Sequence, residues 1–371
     1  MVKYNFQDFD DLKNFMKQKS FKKIFLISGK NSFVKSGAKK MILPFLKSKT
    51  IQIYFKNSDY PEYSELKNII NFINQFNPDL ILAIGGGSVI DYAKIARLDL
   101  DITNLKQKII NPKKFDNFKR KFKLVTIPTT AGSGAEVTEN AVIYIKNKKY
   151  SVEGKAVKPD YFFLIPKFIL NSSKIIKSSA GFDAISQAIE SLLSNRSTHQ
   201  SVIYAKESLK ISLVNFQKFV NKPSYDNTMK MSIAANLSGK AISISKTTAP
   251  HALSYPFTSY FGIPHGHAVS LTLNDFLKFN YEHLKYSVSN FDLKKRYQII
   301  FNLAKVNNIQ DLDCFLNKIK INTGLENNLK KLGVSIKSDY RKILSGVNVQ
   351  RLKNNPINLN RNDIKNILLN K

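Results

Sequence analysis

The stretch Leu80-Ile81-Leu82-Ala83-Ile84-Gly85-Gly86-Gly87-Ser88-Val89-Ile90-Asp91-Tyr92-Ala93-Lys94 decides the fold. Its first five residues are apolar without alternation, the pattern of a strand buried on both faces of a parallel sheet. Three glycines and a serine follow, and a helix starts at once. Glycine admits positive φ and lets a ligand approach the backbone closely. A helix N-terminus offers N–H groups and the positive end of its dipole to a phosphate. The string is not the G-x-G-x-x-G of a Rossmann fingerprint, and a plain glycine-rich turn is the alternative. Consecutive glycines cost conformational entropy, however, and that cost argues for a ligand at Gly86, Gly87 and Ser88.

Working outward, Lys23–Ser28 is a second short apolar run, closed by Gly29, and Ile51–Phe55 a third. Leu66, Ile69, Ile70 and Ile73 recur at helical spacing across 62–76, stopped by Asn77-Pro78. Phe122–Ile127 is another buried strand. It runs into Pro128-Thr129-Thr130-Ala131-Gly132-Ser133-Gly134-Ala135-Glu136, a second turn of hydroxyls and glycines at the strand edge where α/β sheets bind ligands. Thr129, Thr130 and Ser133 are its candidate phosphate contacts. The alternation implies βαβ units and a doubly wound parallel sheet. From about Ser172 helical periods take over at 181–193, 201–219, 229–242 and through Leu369, with little strand-like alternation. The expected organisation is an α/β nucleotide-binding domain over 1–172 and an all-helical domain over 173–371. The Asn- and Lys-rich tail beyond Ile321 keeps Leu and Ile at helical intervals and reads as a peripheral helical segment.

The 371 residues suit two domains with a sizeable core. One cysteine, Cys314, excludes a disulfide framework and a Cys-based zinc cluster, and a reducing, cytoplasmic setting is the simplest fit. No apolar run reaches the roughly 20 residues of a bilayer span. The opening MVKYNFQDFDDLKNF carries acids and no apolar core, so no secretory leader is expected. The formal charge of +31 invites a polyanion partner. The basic residues are spread along the whole chain, as a habitual use of Lys, Asn and Ile would produce, so neither nucleic acid nor membrane is the expected partner. A strongly positive protein still attracts small anions.

Together the two turns resemble the iron-containing, group III alcohol dehydrogenase superfamily. The resemblance runs through Gly85–Ser88, Asp91, Ala93-Lys94 and Pro128–Thr138 to Gly181-Phe182-Asp183-Ala184, Ala188-Ile189-Glu190, His251-Ala252-Leu253 and Gly262-Ile263-Pro264-His265-Gly266. It implies a dehydroquinate-synthase-like fold and a cleft in which a divalent metal, Fe or Zn, polarises a small alcohol or aldehyde beside a nicotinamide. It adds Asp91 and Lys149 to the cofactor-binding residues. The family's metal is held by one Asp and three His. Asp183, His251 and His265 match three of those positions, and Gln187 stands where the fourth ligand, a His, would be. Positions i and i+4 share a helix face, so Gln187 can still point at the same site, though its amide oxygen is a weak ligand. His251, His265 and the extra His267 are the candidate catalytic histidines. His267 is open to three roles: replacement ligand, proton donor or anion contact.

NAD-preferring members carry an Asp after the first strand. Here Gly29 replaces it and Lys30 follows, which favours a 2′-phosphate and therefore NADPH over NADH. Strings at 29–37, 186–191 and 264–269 look like the phosphonoacetaldehyde reductase branch, which reduces an aldehyde to 2-hydroxyethylphosphonate. Arg196 is the candidate contact for such a dianion, or else a helix C-terminal cation. The expected partner is a small, anionic aldehyde or alcohol, and a homodimer is compatible with the sequence. The rivals are a general short-chain alcohol dehydrogenase, a sugar-phosphate or dehydroquinate-synthase-like enzyme, and a lapsed nucleotide-binding relative.

Overall fold

The computed structural model describes residues 8–111, 118–146, 148–347 and 349–369. The opening residues 1–7, part of the stretch expected to lack a leader, lie outside them. By its contacts the chain divides into one unit of Met1–Thr130 with Gly134–Ser172 and another of Ala131–Ser133 with Ser173–Lys371.

The first unit carries β1 (Lys23–Gly29), β2 (Thr50–Lys56), β3 (Leu80–Gly85), β4 (Lys123–Pro128), β5 (Asn140–Ile145), β6 (Lys148–Glu153) and β7 (Tyr161–Phe162). Its helices are α1 (Phe9–Gln18), α2 (Lys30–Lys35), α3 (Ala38–Phe45), α4 (Tyr63–Phe76), α5 (Gly87–Ala96), α6 (Leu105–Ile110) and α7 (Lys167–Leu170). Five strands form one sheet in the order β2-β1-β3-β4-β7, all parallel. The period-two alternation of strand side chains splits the core in two. Phe25, Ile27, Ile81 and Ala83 pack on one face with Leu66, Ile69 and Ile73 of α4 and Val89 and Tyr92 of α5. Ile24, Leu26, Leu82 and Ile84 pack on the other with Leu12 and Met16 of α1, Phe33 of α2 and Ile42 of α3. Helices on both faces of a parallel sheet are the doubly wound arrangement expected above.

One detail departs from expectation. β5 and β6 make an antiparallel hairpin in a sheet of their own, reversing at Lys146 with φ +49°. Reading only for βαβ units passes over it, because its partner is the next segment of chain and its face packs on α5. α4 ends at Phe76, where Asn77-Pro78 was expected to stop it, and Asn77 takes the left-handed conformation, φ 47°, as its C-cap.

The second unit is helical among its described residues: α8 (Lys174–Leu193), α9 (His199–Asn221), α10 (Tyr225–Ser245), α11 (Ala249–Phe261), α12 (His265–Glu282), α13 (Leu293–Ala304), α14 (Ile309–Thr323), α15 (Ile336–Ser345), α16 (Val349–Leu352) and α17 (Arg361–Leu369). α8 starts well before Gly181 because the Ser173 hydroxyl accepts the Ile176 N–H as an N-cap. It is the central helix of its unit, buried along nearly its whole length from Lys177 to Leu193 and packed by α9, α10 and α12. Thr198 and Ser224 cap α9 and α10 in the same way. The tail is helical, as its periodicity predicts, but it is not peripheral. Leu329, Val334, Ile343, Ile364 and Leu368 share a core with Ala252, Leu253 and Phe257 of α11 and Leu271 of α12. None of the described helices is long and apolar enough to cross a membrane.

Candidate functional site

In the first unit the two turns are neighbours. β3 and β4 pair in parallel with Gly85 opposite Pro128, and the Thr129 N–H donates to the Gly85 carbonyl at 3.0 Å. A Cβ on Gly85 would lie 2.5 Å from Val89, so only glycine lets α5 start this close to the strand. Gly86 is the N-cap of α5 and brings no side chain to its amides. Helix geometry leaves the first-turn N–H groups of Gly87 and Ser88 without intrahelical acceptors. A Cβ on Gly86 would sit 3.5 Å from the Thr130 hydroxyl, so the second turn flanks the first at contact distance. Gly86, Gly87, Ser88 and Thr130 remain half-buried, open to a ligand. Uncapped amides, glycines and hydroxyls together suit a pyrophosphate.

Behind this turn lies a buried charge cluster. Desolvation pushes the Asp91 carboxyl up to about 6, against the pull of Lys94, the Val142 N–H and Lys149. The Lys94 ammonium is fully buried and donates to Thr138 Oγ1 at 2.7 Å and the Asn140 carbonyl at 2.9 Å. Burial lowers its pKa to about 8, while Asp91, Glu136 and Glu139 hold it up. Lys94 thus ties α5 to the start of the β5–β6 hairpin. Gly29 ends β1 as the N-cap of α2, and Lys30 follows it, exposed. Ser133 falls in the short stretch Ala131–Ser133 that packs with the helical unit, where a Cβ on Gly132 would meet the Ala180 backbone at 2.7 Å.

In the second unit α8 presents Asp183, Gln187 and Glu190 along one face, at i, i+4 and i+7. Asp183, His251 and His265 offer one donor atom each, all within 4.8 Å of one another. His251 Nε2 lies 3.2 Å from Asp183 Oδ1. Two bonds of about 2.1 Å to a tetrahedral ion would place donors ~3.4 Å apart. The opposite ring edge, Nδ1, meets Glu190 Oε2. Glu190 is itself fixed, its Oε1 accepting from the Thr248 N–H at 2.9 Å, the Thr248 hydroxyl at 3.0 Å and the His251 N–H at 3.3 Å. A carboxylate behind a metal-facing imidazole orients the ring and raises its basicity. Burial opposes a charge on His251, but Glu190 and Asp183 outweigh it and raise its pKa.

His265 begins α12 and is half-buried. Its ring stacks on Tyr255, with centroids 5.8 Å apart and planes 10° apart, and its Nδ1 is 3.4 Å from the Ser254 hydroxyl. Close approach of α12 to α8 depends on Gly266, where a Cβ would lie 2.0 Å from the Ser179 carbonyl oxygen and 2.7 Å from Asp183 Cβ. The donor set therefore suits a divalent cation such as Zn or Fe.

Three other expected residues are placed differently. Gln187 lies beside the cluster, its Nε2 donating to Asp183 Oδ2 at 3.1 Å and its Oε1 accepting from the Ser238 hydroxyl at 2.9 Å. His267 is buried, with Nε2 2.7 Å from the Glu326 carbonyl and its backbone N–H on the Ser179 hydroxyl. The structure does not bring His267 into the Asp183–His251–His265 group. Arg196 is exposed beyond the C-terminal end of α8. At 1.5 Å per residue, about 15 Å of helix separates Asp183 from Leu193, so Arg196 is not at this cluster. Glu190, Thr248 and Ser238 carried no role in the sequence reading. The available signal was a carboxylate seven residues after Asp183 on the same apolar helix face.

Two family models match the chain. The model described as iron-containing alcohol dehydrogenase matches residues 2–166, and that of the Fe-containing alcohol dehydrogenase family, C-terminal, matches 177–371. The chain belongs to the iron-containing alcohol dehydrogenase family. It is 29% identical to aldehyde-alcohol dehydrogenase 2 of Entamoeba histolytica over 71% of this chain and 32% of that protein. It is 31% identical to the phosphonoacetaldehyde reductase of Streptomyces viridochromogenes over 55% of this chain and 53% of that one. The match thus spans about a third and about half of these two relatives' own lengths. Among solved structures, an iron-containing alcohol dehydrogenase of Thermotoga maritima superposes with a TM-score of 0.80 at 26% identity, covering 98% of this chain and 94% of that one.

Proposed function

We propose that this family member is an NAD(P)-dependent reductase of small aldehydes, with NADPH as the favoured cofactor and phosphonoacetaldehyde as substrate. The observation that carries the reading is the convergence of Asp183, His251 and His265 with Glu190 behind the His251 ring. When bound, the nicotinamide supplies the hydride and the divalent cation polarises the carbonyl oxygen. The chain's own residues then have separate tasks. The amides of Gly87 and Ser88 and the hydroxyl of Thr130 bind the cofactor's phosphates. Lys30, exposed after β1, supplies a cation to a 2′-phosphate. Asp183, His251 and His265 hold the cation, and Glu190 keeps a proton on His251 Nδ1 so that Nε2 is the donor. His265, half-buried at the head of α12, is the more accessible of the two imidazoles in that ligand set.

The 31% identical reductase supports the phosphonate substrate. The second reading, a general alcohol or aldehyde dehydrogenase, is favoured by the position of Arg196, which leaves the cluster without the cation expected to meet a dianion. Steady-state assays with NADPH on phosphonoacetaldehyde, acetaldehyde and butanal decide between them. A higher kcat/KM for phosphonoacetaldehyde than for acetaldehyde or butanal is expected on the first reading. Equal values remove the phosphonate reading, and full activity after exhaustive chelation removes the metal.

A further inference from the structure

We infer that Gln187 is a positioning residue for Asp183 rather than a metal ligand, and that the centre has three protein ligands. The inference rests on the metal reading above and concerns what Gln187 does within it. Its basis is the direction of the Gln187 amide. Asp183 Oδ1 faces the His251 ring, while Oδ2 lies 3.1 Å from Gln187 Nε2. A carboxylate only accepts, so the amide edge turned to it must be the NH2 group. That orientation sends Oε1, the one atom of Gln187 able to bind a cation, toward Ser238 of α10, whose hydroxyl donates to it at 2.9 Å. Turning the amide over would set its carbonyl oxygen against the Asp183 carboxylate and leave both without a proton between them.

All three groups are buried: Asp183 at 4%, Gln187 at 3% and Ser238 at 0% exposure. Rearrangement would therefore strand polar atoms away from water, at a cost that holds the chain Ser238–Gln187–Asp183 in one arrangement. The consequence is a set of two imidazoles and one carboxylate, with the carboxylate's second oxygen restrained by an amide. Three protein ligands leave a tetrahedral ion one open position, the count that suits a centre open to substrate.

Zn²⁺ affinity of the full chain, measured by chelator competition after stripping, tests this with S238A and the near-isosteric Q187M. Oriented hydrogen-bond partners of metal ligands typically contribute 10–100-fold in affinity. Q187M is expected to weaken Zn²⁺ binding by about that factor. S238A is expected to weaken it several-fold in the same direction, and the double variant to be no weaker than Q187M, because Ser238 acts through Gln187. The visible spectrum of the Co²⁺-loaded protein should shift in S238A, which a merely structural role would not produce, alongside a modest fall in melting temperature as Gln187 Oε1 loses its buried donor. The opposite sign overturns the inference: if Gln187 were a ligand, removing Ser238 would release Oε1 and tighten binding. Wild-type affinity and spectrum in both variants would overturn it equally. A wild-type chain that takes up no metal, or a D183N variant that binds as tightly as wild type, would instead sink the metal reading itself.

Discussion

Glu190 and His251 stand 61 residues apart in sequence, and the carboxylate of one meets Nδ1 of the other while Nε2 of the same ring faces Asp183. E190Q keeps the shape and removes the charge. Its Zn²⁺ affinity is expected to fall 10–100-fold with little change in melting temperature. E190A should behave differently. It leaves the Thr248 and His251 N–H groups buried without an acceptor, at about 1–3 kcal/mol each, so its melting temperature should drop as well. Chelator competition and thermal melts of both variants check the pair.

Gly266 separates a packing requirement from a turn requirement. A Cβ there meets the Ser179 carbonyl at 2.0 Å, and backbone cannot swing aside like a side-chain tip. G266A should lose about 2–3 kcal/mol or more and most of its metal affinity, as α12 is forced off α8. Gly262, three residues before His265, has φ +67° and open space around its Cβ position. G262A should cost only the left-handed strain, about 1 kcal/mol, and keep the metal. Urea unfolding with metal quantitation compares them, and equal metal loss in both would discredit the packing account.

Asp91 sets a pH dependence whose sign follows from its environment. Its pKa is raised from 3.8 to about 6, chiefly by desolvation. Between about pH 4 and 6 the folded chain therefore holds a proton that the unfolded chain has released, and stability falls as pH rises through that window. The displacement bounds the effect at about 3 kcal/mol, lowered by water reaching a half-buried carboxyl. D91N cannot ionise, so the drop in urea midpoint from pH 4 to 6.5 should be smaller in D91N than in wild type. An identical drop would show that Asp91 does not titrate there.

Cofactor choice is expected to rest on Lys30. K30A should weaken NADPH binding about 5–10-fold and leave NADH within two-fold, because only the 2′-phosphate would meet the lost charge. G29D tests the reverse preference. A Cβ at Gly29 falls 2.7 Å from Ser32 Oγ, whose hydroxyl donates to the Gly29 carbonyl at 3.1 Å, and pairing it with S32A removes that contact. G29D/S32A should bind NADH in preference to NADPH. Fluorescence titration of both nucleotides reads the result, and an unchanged preference in both variants would remove Lys30 and Gly29 from the nucleotide site.

Much of this chain is local, and what is local was legible. The apolar runs at 23–28 and 80–84 have to be strands buried on both faces, and Gly85–Ser88 has to be a tight turn opening a helix, because each follows from a few consecutive residues. Asp183, His251 and His265 were legible too, through their motifs. The hairpin of β5 and β6 was not, since its reading competes with the βαβ pattern around it.

The tertiary structure decided what each polar side chain faces. Nothing in residues 183–190 says that the Gln187 amide is turned by a serine 51 residues later, or that Glu190 braces a histidine from another helix. Equally, three histidines within residues 251–267 read alike, yet packing sends His267 to the Glu326 carbonyl and away from Asp183. Secondary structure follows from backbone preference and side-chain period over a few residues. Hydrogen-bond partners of buried polar groups are chosen only when helices close on one another and water leaves, because only then does each unpaired donor or acceptor carry a cost.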